Sequence, residues 1–324
     1  MYFDPHVKEK NNDFFNFEVL REELKKSIED KSTPIIAIHG LRRTGKTSII
    51  RVVLNSMKKK YVWIDGRIIS SKKSFFDQLI HETNKLRLVT FKAITIKGIE
   101  ISWNYAQKGL DYLNKHKMVL VIDEAQLLKK MHVDDVVAFI YDNYPRIKVI
   151  LSGSEAGMLM NFLGKNNAGA PLYGRAVLEL QTHRLDKEGA SRFLSQGAKQ
   201  SKITISDSDI ENATATLGGI TGWLTKYGWF RLKIGHKEAL RKTVQEGKLI
   251  VMKEFIKFSS LSEEKYRMIM KVINGGASWS DIKQNTDISD KQLYVMLKRL
   301  DAYGFIEKHD GLYTIADPLL AVAI

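Results

Sequence analysis

The residues from 40 to 48 have the types and spacing that a phosphate-binding loop requires. Residues 40–47 read Gly-Leu-Arg-Arg-Thr-Gly-Lys-Thr, a full match to the pattern G-x₄-G-K-[ST]. The two glycines would let consecutive backbone N–H groups face phosphate oxygens. The lysine would reach the β- and γ-phosphates, and the following threonine hydroxyl would ligate Mg²⁺. The predicted nucleotide site comprises Gly40, Leu41, Arg42, Arg43, Thr44, Gly45, Lys46, Thr47 and Ser48.

Two adjacent carboxylates, Asp123 and Glu124, end an apolar run that starts at residue 117. In P-loop ATPases an aspartate at this position holds Mg²⁺ through its water shell. The next carboxylate can act as the general base that orients and polarises the attacking water. A strand that simply ends in a helix-capping acidic pair is the alternative. Because the phosphate loop lies upstream, we predict ATP and Mg²⁺ as cofactors, with Thr47 and Asp123 on the metal.

Two further side chains are candidates for catalysis, beside Lys46 and Glu124. Ser154, like Ser152, follows the apolar run 146–151, and the carboxyl ends of parallel strands face the nucleotide crevice. It would sense the γ-phosphate or the attacking water, or the stretch is only a turn with a helix N-cap. Arg175 precedes the run 176–180 and would stabilise transition-state charge, in cis or in a neighbouring subunit. A plain surface arginine is the alternative for that position.

Short apolar strands and intervening helices must position these groups. The run 33–40 leads into the loop, and residues 48–57 are apolar at helical spacing. Further apolar runs at 60–65, 117–123, 146–151 and 176–180 complete a predicted parallel sheet. The stretch 92–102 alternates around Lys97-Gly98 and predicts a β-hairpin, either a binding arm or an insertion packed on the domain edge.

The sequence pattern beyond residue 185 predicts helices followed by a small two-stranded hairpin. Asp186 caps a helix that opens a helical region, a lid, running to about residue 255. Helices at 262–274, 280–285 and 290–303, followed by two strands around Asp310-Gly311, predict a winged helix. Ser289 and Gln292 predict a capping box for its third helix. The predicted core face is Leu293, Met296, Leu297 and Leu300, and the predicted solvent face is Lys291, Tyr294, Lys298 and Arg299.

The predicted fold is therefore α/β in three parts. A P-loop parallel sheet flanked by helices forms an ATPase domain at residues 1–185. An all-α lid follows at 186–255, and a winged-helix domain ends the chain at 256–324. Winged helices commonly place the third helix in a DNA major groove, so DNA or a protein is the expected partner of the last part.

Charge and composition limit these predictions. The chain has 324 residues, a formal net charge of +14 and no cysteine, which excludes disulfides and thiolate metal sites. Residues 256–324 hold nine basic and nine acidic side chains, so the whole excess lies in residues 1–255. Because DNA binding depends on neutralising phosphates, this weakens the DNA prediction for the winged helix. No apolar run is long enough for a bilayer and no signal peptide is evident, so we expect no membrane contact and a cytoplasmic location.

Together these segments resemble the archaeal ATPase family of AAA+/STAND-type P-loop proteins, related in plan to archaeal origin-recognition initiators. The matching strings lie in order over nearly the whole chain. They are Asn12-Asp-Phe-Phe-Asn16, Arg21-Glu-Glu-Leu24, the loop at 40–47, Val121-Ile-Asp-Glu-Ala-Gln126, Leu151-Ser-Gly-Ser-Glu155, Pro171-Leu-Tyr-Gly-Arg175, Gly218-Gly-Ile-Thr-Gly-Trp-Leu224 and Asp317-Pro-Leu-Leu320. Phe17 stands where the family has arginine, and Thr221 where it has proline. Both departures concern the adenine side of the site.

The resulting hypothesis is an ATP-hydrolysing switch whose lid and winged helix respond to nucleotide state. The alternative is a DNA-binding module whose ATP site is structural and does not hydrolyse. The sequence does not indicate an oligomeric state.

Overall fold

Five short apolar runs form one parallel sheet in the computed structural model, which describes residues 1–86, 99–165 and 167–324. The strands are β1 (Ile35–Gly40), β2 (Tyr61–Asp65), β3 (Val119–Asp123), β4 (Lys148–Gly153) and β5 (Val177–Thr182). Their order across the sheet is β2-β3-β4-β1-β5, with every neighbouring pair parallel. The predicted α/β class and its five strands are confirmed.

Helices cover both faces of this sheet. They are α1 (Glu18–Glu29), α2 (Lys46–Ser56), α3 (Lys72–Lys85), α4 (Ile99–Lys115), α5 (Val133–Asn143) and α6 (Ala156–Phe162). Alternate residues of a strand point to opposite faces. Ile36 and Ile38 therefore pack with α1 and α2, whereas Ile35 and Ala37 pack with the helices of the other face. Burial on both faces explains why the strands are continuous apolar runs.

The predicted β-hairpin at 92–102 falls mostly on residues 92–98, which lie outside the described residues. Its last part, residues 99–102, is wrong as a strand because it forms the first turn of α4. Ala106, Leu110 and Leu113 follow at helical spacing, and all three are fully buried in the core that α3 shares. The few alternating residues at the start were too short a pattern to distinguish a strand from this helix.

The rest of the chain is mostly helical. The elements of this part are α7 (Lys187–Gln200), α8 (Asp207–Leu217), α9 (Thr221–Arg231), α10 (His236–Ser259), α11 (Glu263–Ile273), β6 (Ala277–Ser278), α12 (Trp279–Gln284), α13 (Asp290–Ala302), β7 (Ile306–His309), β8 (Leu312–Ile315) and α14 (Pro318–Ala321). The three strands form a small antiparallel sheet in the order β6-β8-β7. Three helices followed by a two-stranded hairpin are the elements that the winged-helix prediction requires.

The two predicted helix caps have different outcomes. The Asp186 carboxylate accepts a hydrogen bond from the Gly189 backbone N–H at 2.6 Å and caps α7 as predicted. Ser289 stands at the N-cap of α13 but makes no side-chain cap bond, so the capping box is wrong. The Gln292 side chain instead accepts from the Lys265 ammonium at 3.0 Å, because α11 packs within its reach. The predicted core face of α13 is buried.

One hydrophobic cluster runs through the helical region and the C-terminal elements. It contains Leu194 and Trp223 of the predicted lid, and Ile269 and Leu300 of the predicted winged helix. The 24-residue α10 passes through the predicted boundary at residue 255, so the division into lid and winged helix stays a prediction. Phe3, fully buried, joins the same cluster from the start of the chain. No helix within the described ranges has the length and apolarity to cross a bilayer.

Candidate functional site

The loop after β1 is held in a tight turn that requires its glycines. Gly40 has φ of +138°, and a Cβ there would lie 2.2 Å from the Thr182 carbonyl oxygen. Gly45 has φ of +93° and immediately precedes α2. The Thr44 hydroxyl lies 2.7 Å from the Thr182 hydroxyl and donates to the Leu41 carbonyl at 2.8 Å. The loop is thereby fixed to the end of β5, with the N-terminus of α2 directed at it, the arrangement that binds phosphate.

Lys46 lies almost buried inside this loop. Its ammonium donates to the carbonyls of Gly40 at 2.9 Å and Leu41 at 2.6 Å. Burial lowers the pKa of Lys46 to about 8, although the carboxylates of Glu124 and Asp123 act to raise it. Within the described residues the ammonium is hydrogen-bonded to two neutral carbonyls and to no carboxylate, so a phosphate bound here would supply a directly paired negative charge.

We expect the affinity for ATP to fall as the pH rises above about 8. Below that pKa the free protein already carries the ammonium, so affinity should be constant. Above it, binding must restore a proton that the phosphates then retain, and affinity should fall by up to about tenfold per pH unit. Titration calorimetry from about pH 7 to 9.5 would measure this. Lys46→Arg, whose guanidinium stays charged, should remove the pH dependence, and a flat profile for the unaltered chain would contradict the prediction.

Thr47 and Asp123 lie side by side and fit a magnesium ion. The Thr47 hydroxyl donates to the Asp123 carboxylate at 3.0 Å, and the Ser152 hydroxyl bonds the other carboxylate oxygen. Asp123 is 3% exposed, and burial raises its pKa. A buried carboxylate beside a hydroxyl is the oxygen ligand set that Mg²⁺ prefers, and the ion would offset the buried negative charge. Ser152, weighed with Ser154 as a phosphate sensor, thus orients the aspartate.

Glu124 is held in an unusual conformation beside this pair. Its φ of 52° and ψ of 43° place a non-glycine residue in the left-handed region, a strain typical of functional positions. Its carboxylate accepts from the Gln126 amide at 2.6 Å and from the Ser154 hydroxyl at 2.9 Å. The structure therefore brings Ser154 to the predicted base, and adds Gln126, which the sequence analysis did not single out.

Arg175 lies at the end of the strands opposite to the phosphate loop. It comes just before Val177, the first residue of β5, whereas the loop is level with the last residue of that strand. Its guanidinium pairs with Asp142 at 2.7 Å, bonds the Pro171 carbonyl, and is 25% exposed. A role of Arg175 in cis is wrong, because the length of the strands separates it from Gly40. A role across a subunit boundary stays a prediction.

The side chains of the two loop arginines bind the C-terminal elements. Arg42 donates to the Tyr303 carbonyl at 2.9 Å and to Glu155 at 2.5 Å. Arg43 donates to Glu254 of α10 at 2.6 Å and lies 3.7 Å from Asp317. We predicted both as nucleotide contacts; the structure engages their side chains elsewhere, which leaves their backbone for the phosphates.

Helix α9 contacts Arg43 from a second side. Its guanidinium lies 4.5 Å from the Trp223 ring centroid, and its carbonyl accepts from the Gly222 N–H at 2.9 Å. The Trp223 indole N–H in turn donates to Asp317 at 3.0 Å. We call Arg42, Arg43, Glu254 and Asp317 the latch. Nothing in the local sequence reveals it, because its two arginines are more than 200 residues from its two carboxylates.

The loop opens into a cleft of about 970 Å³. The N-terminal segment forms one wall, where the Lys8 N–H donates to the Ser48 hydroxyl at 3.0 Å. Phe17 and Thr221, the two departures from the family pattern, both line this cleft. The Thr221 hydroxyl is buried and has no hydrogen-bond partner among the described residues. A second groove, of about 1050 Å³, lies between α8 and α10 and contains no residue of the loop.

The chain is similar in sequence and fold to known ATPases. A family model described as an ATPase domain predominantly from Archaea matches residues 14–227. The Walker-type ATPase PABY2304 of Pyrococcus abyssi is 27% identical, covers 100% of this chain and 99% of its own, and superposes with a TM-score of 0.89. The Aeropyrum pernix Orc1 protein in complex with DNA is 11% identical, with coverage of 95% and 91% and a TM-score of 0.51, and shares only the fold. No curated protein matches the sequence. Since its model spans most of the chain, this protein belongs to the family of ATPase domains found predominantly in Archaea.

Proposed function

We propose that this chain hydrolyses ATP with Mg²⁺ and that the nucleotide state is passed to its C-terminal elements. The observation that carries the proposal is the latch, because residues of the phosphate loop itself hold α10 and the segment before α14. A change of the loop on binding phosphates would be passed to α10 and to this segment through these contacts. We keep the three-part division at 1–185, 186–255 and 256–324 as part of the proposal.

The chemistry is divided among the residues at the ends of β1, β3 and β4. Lys46 and the N-terminus of α2 bind the phosphates, and Thr47 with Asp123 would hold the metal. Bound Mg²⁺ would neutralise charge on the β- and γ-phosphate oxygens. Glu124 accepts the proton of the attacking water, while Ser154 and Gln126 fix its carboxylate in place. Arg175 is proposed to act only in trans, from a neighbouring copy of the chain.

Coupling follows from the electrostatics of the latch. Arg43 and Glu254 are both largely shielded from water, at 19% and 33% side-chain exposure. Burial raises the pKa of Asp317, although Arg43 acts to lower it. Partly buried charges of this kind keep their partners, since separation leaves each one poorly solvated. Nucleotide affinity and the position of α10 are therefore linked, and the linkage is reciprocal.

The expected result is that Mg-ATP changes amide hydrogen exchange in α9, the second half of α10 and residues 303–320. The change should persist in Glu124→Gln, which holds ATP without turnover, and be largely lost when Glu254→Gln is added. Glu238→Gln is the matched control, because Glu238 is on the same helix and, among the residues that the structure describes, pairs only with Arg241 and Lys242. Identical exchange with and without nucleotide would rule out the switch, and absence of Mg-dependent phosphate release would rule out the enzyme.

A second candidate function is a DNA-binding module whose ATP site does not hydrolyse. The observation in its favour is α13, where Lys291, Tyr294, Lys298 and Arg299 are all exposed as predicted. Orc1, similar in fold, was solved in complex with DNA. The zero net charge of residues 256–324 argues against it. Tight duplex binding that ignores nucleotide, together with no phosphate release, would favour this candidate.

A further inference from the structure

The edge of the central sheet that is formed by the amino ends of its strands, opposite the phosphate loop, carries a concentration of positive charge. Four turns enter β2, β3, β4 and β1 at this edge, and they contribute six exposed basic side chains. We call these residues the basic edge: Lys31, Lys58, Lys60, Lys115, Lys117 and Arg146. None of the six forms an ion pair with any residue that the structure describes.

Backbone hydrogen bonds join three of these turns. The carbonyl of Lys60, just before β2, accepts from the Val119 N–H at 3.2 Å. The carbonyl of Met118, just before β3, accepts from the Lys148 N–H at 3.3 Å. The turns before β2, β3 and β4 are thus in direct contact, which places their basic residues along the same edge.

Side-chain hydrogen bonds complete the surface. The Arg146 N–H donates to the Asn114 side chain at 2.9 Å, which brings Arg146 beside the end of α4, where Lys115 lies. The Lys148 ammonium donates to the Asp30 carbonyl at 2.6 Å, next to Lys31 in the turn before β1. Four segments that are far apart in sequence therefore form one continuous basic surface.

The spacing of this surface suits a regular polyanion. Neighbouring strands are about 4.8 Å apart, so four strands place the charges over about 14 Å. One strand of a duplex carries one phosphate per about 3.4 Å along the axis, so about four phosphates face such a length. The acids nearest these turns in sequence are Glu29, Asp30, Asp111 and Asp142, the last of which pairs with Arg175. Ser32 and Thr33 already donate to the Asp30 carboxylate. The edge is positive overall because its six basic side chains outnumber these acids.

We propose that the basic edge binds the phosphate backbone of a nucleic-acid duplex without reading its sequence. The four turns contain no exposed Trp, Tyr or Phe on which single-stranded bases would stack, the nearest along the edge being Tyr173 before β5. They also contain no exposed large apolar side chain that would insert into a membrane. The proposal assigns a function to part of the excess positive charge of residues 1–255. It also places the nucleic-acid contact on the ATPase domain, and not on the neutral C-terminal segment.

This surface is independent of ATP chemistry, because it lies at the amino ends of strands whose carboxyl ends carry the loop. Lys60, Lys115 and Arg146 can be changed together to glutamine, since none of them has a left-handed backbone. The matched control changes the same number of exposed lysines in the C-terminal elements: Lys271, Lys291 and Lys298 to glutamine.

Fluorescence anisotropy with short labelled DNA and RNA duplexes, between about 50 and 200 mM salt, tests the proposal. The unaltered chain should bind a duplex with a steep salt dependence. The edge variant should bind at least about tenfold more weakly at the low salt end, and its slope should be shallower by about 2.7, or 0.9 per lost contact. The control variant should bind like the unaltered chain, and the duplex that binds identifies the kind of nucleic acid.

Several results would overturn the proposal. They are no duplex binding at any salt, equal binding by the edge variant, a loss confined to the control variant, and preferential binding to single strands or to phosphatidylglycerol vesicles. A lower melting temperature of the edge variant with unchanged duplex affinity would assign these three residues a role in stability instead, such as that of Lys115 at the C-terminal end of α4. ATP turnover by the edge variant should equal that of the unaltered chain. A chain that binds the duplex without hydrolysing ATP would refute the proposed enzyme and leave the basic edge supported.

Discussion

Glu124→Gln should lower kcat for ATP hydrolysis by about 10²–10⁴-fold, the usual contribution of a positioned general base. Glutamine keeps the size of the side chain and can still accept from Ser154 and Gln126 through its carbonyl oxygen. It cannot take a proton from water, so turnover stops while ATP affinity changes little. Phosphate release and titration calorimetry on the same preparation would measure the two effects separately.

Ser154→Ala provides the graded comparison for this variant. It removes one of two side-chain hydrogen bonds to the Glu124 carboxylate and leaves Gln126 in place. Its loss of kcat should be smaller than that of Glu124→Gln, with unchanged affinity. Normal hydrolysis by Glu124→Gln would mean that the base is another group, and the roles given to Ser154 and Gln126 would then be lost with it.

Lys46→Ala should weaken ATP binding by about 10²-fold, because a charge-assisted hydrogen bond to phosphate contributes about 1.5–3 kcal/mol. The variant should not lower the melting temperature of the nucleotide-free protein. The ammonium is buried among neutral carbonyls, and its lowered pKa means that charging it there opposes folding. Calorimetry of ATP binding and a thermal melt without nucleotide would check both statements.

The control for Lys46→Ala is Lys46→Arg, which retains a positive charge but not the compact geometry of an ammonium. It should restore part of the affinity if charge is what the phosphates need. ATP binding by Lys46→Ala at the affinity of the unaltered chain would contradict the assignment. A sharp fall in the melting temperature would instead indicate that Lys46 is mainly structural.

Local patterns predicted most of the sheet and the centre of the site. The loop glycines, Lys46, Asp123 and Glu124 were recognisable because a motif of adjacent residues follows an apolar strand, and parallel strands place their carboxyl ends together. Ser154 could be placed near the base for the same reason. The position of Arg175 also follows from the sequence. Arg175 precedes β5 and the phosphate loop follows β1, so in a parallel sheet the two must lie at opposite ends of the strands.

Long-range contacts are what the patterns could not give. Arg43 and Glu254 are 211 positions apart, and no periodicity relates them. Gln292 has the type and spacing of a capping-box residue, yet its side chain accepts a hydrogen bond from Lys265 of another helix and does not cap α13. The hairpin prediction failed similarly, because alternation over a few residues at 99–102 cannot be distinguished from the first turn of α4.

Phe3 has a consequence for how the protein is made. Its ring packs against Gly197 and Gly228, where any added Cβ would approach it within 2.4 Å. Because Gly228 lies more than two hundred residues further along the chain, the site that buries Phe3 is completed on the order of ten seconds or more after Phe3 itself has been synthesised. Until then the N-terminal wall of the cleft lacks this anchor, and its contact with α2 through Lys8 and Ser48 is one that can form early. We therefore expect the cleft to be completed late in folding, after the strands of the sheet have been synthesised.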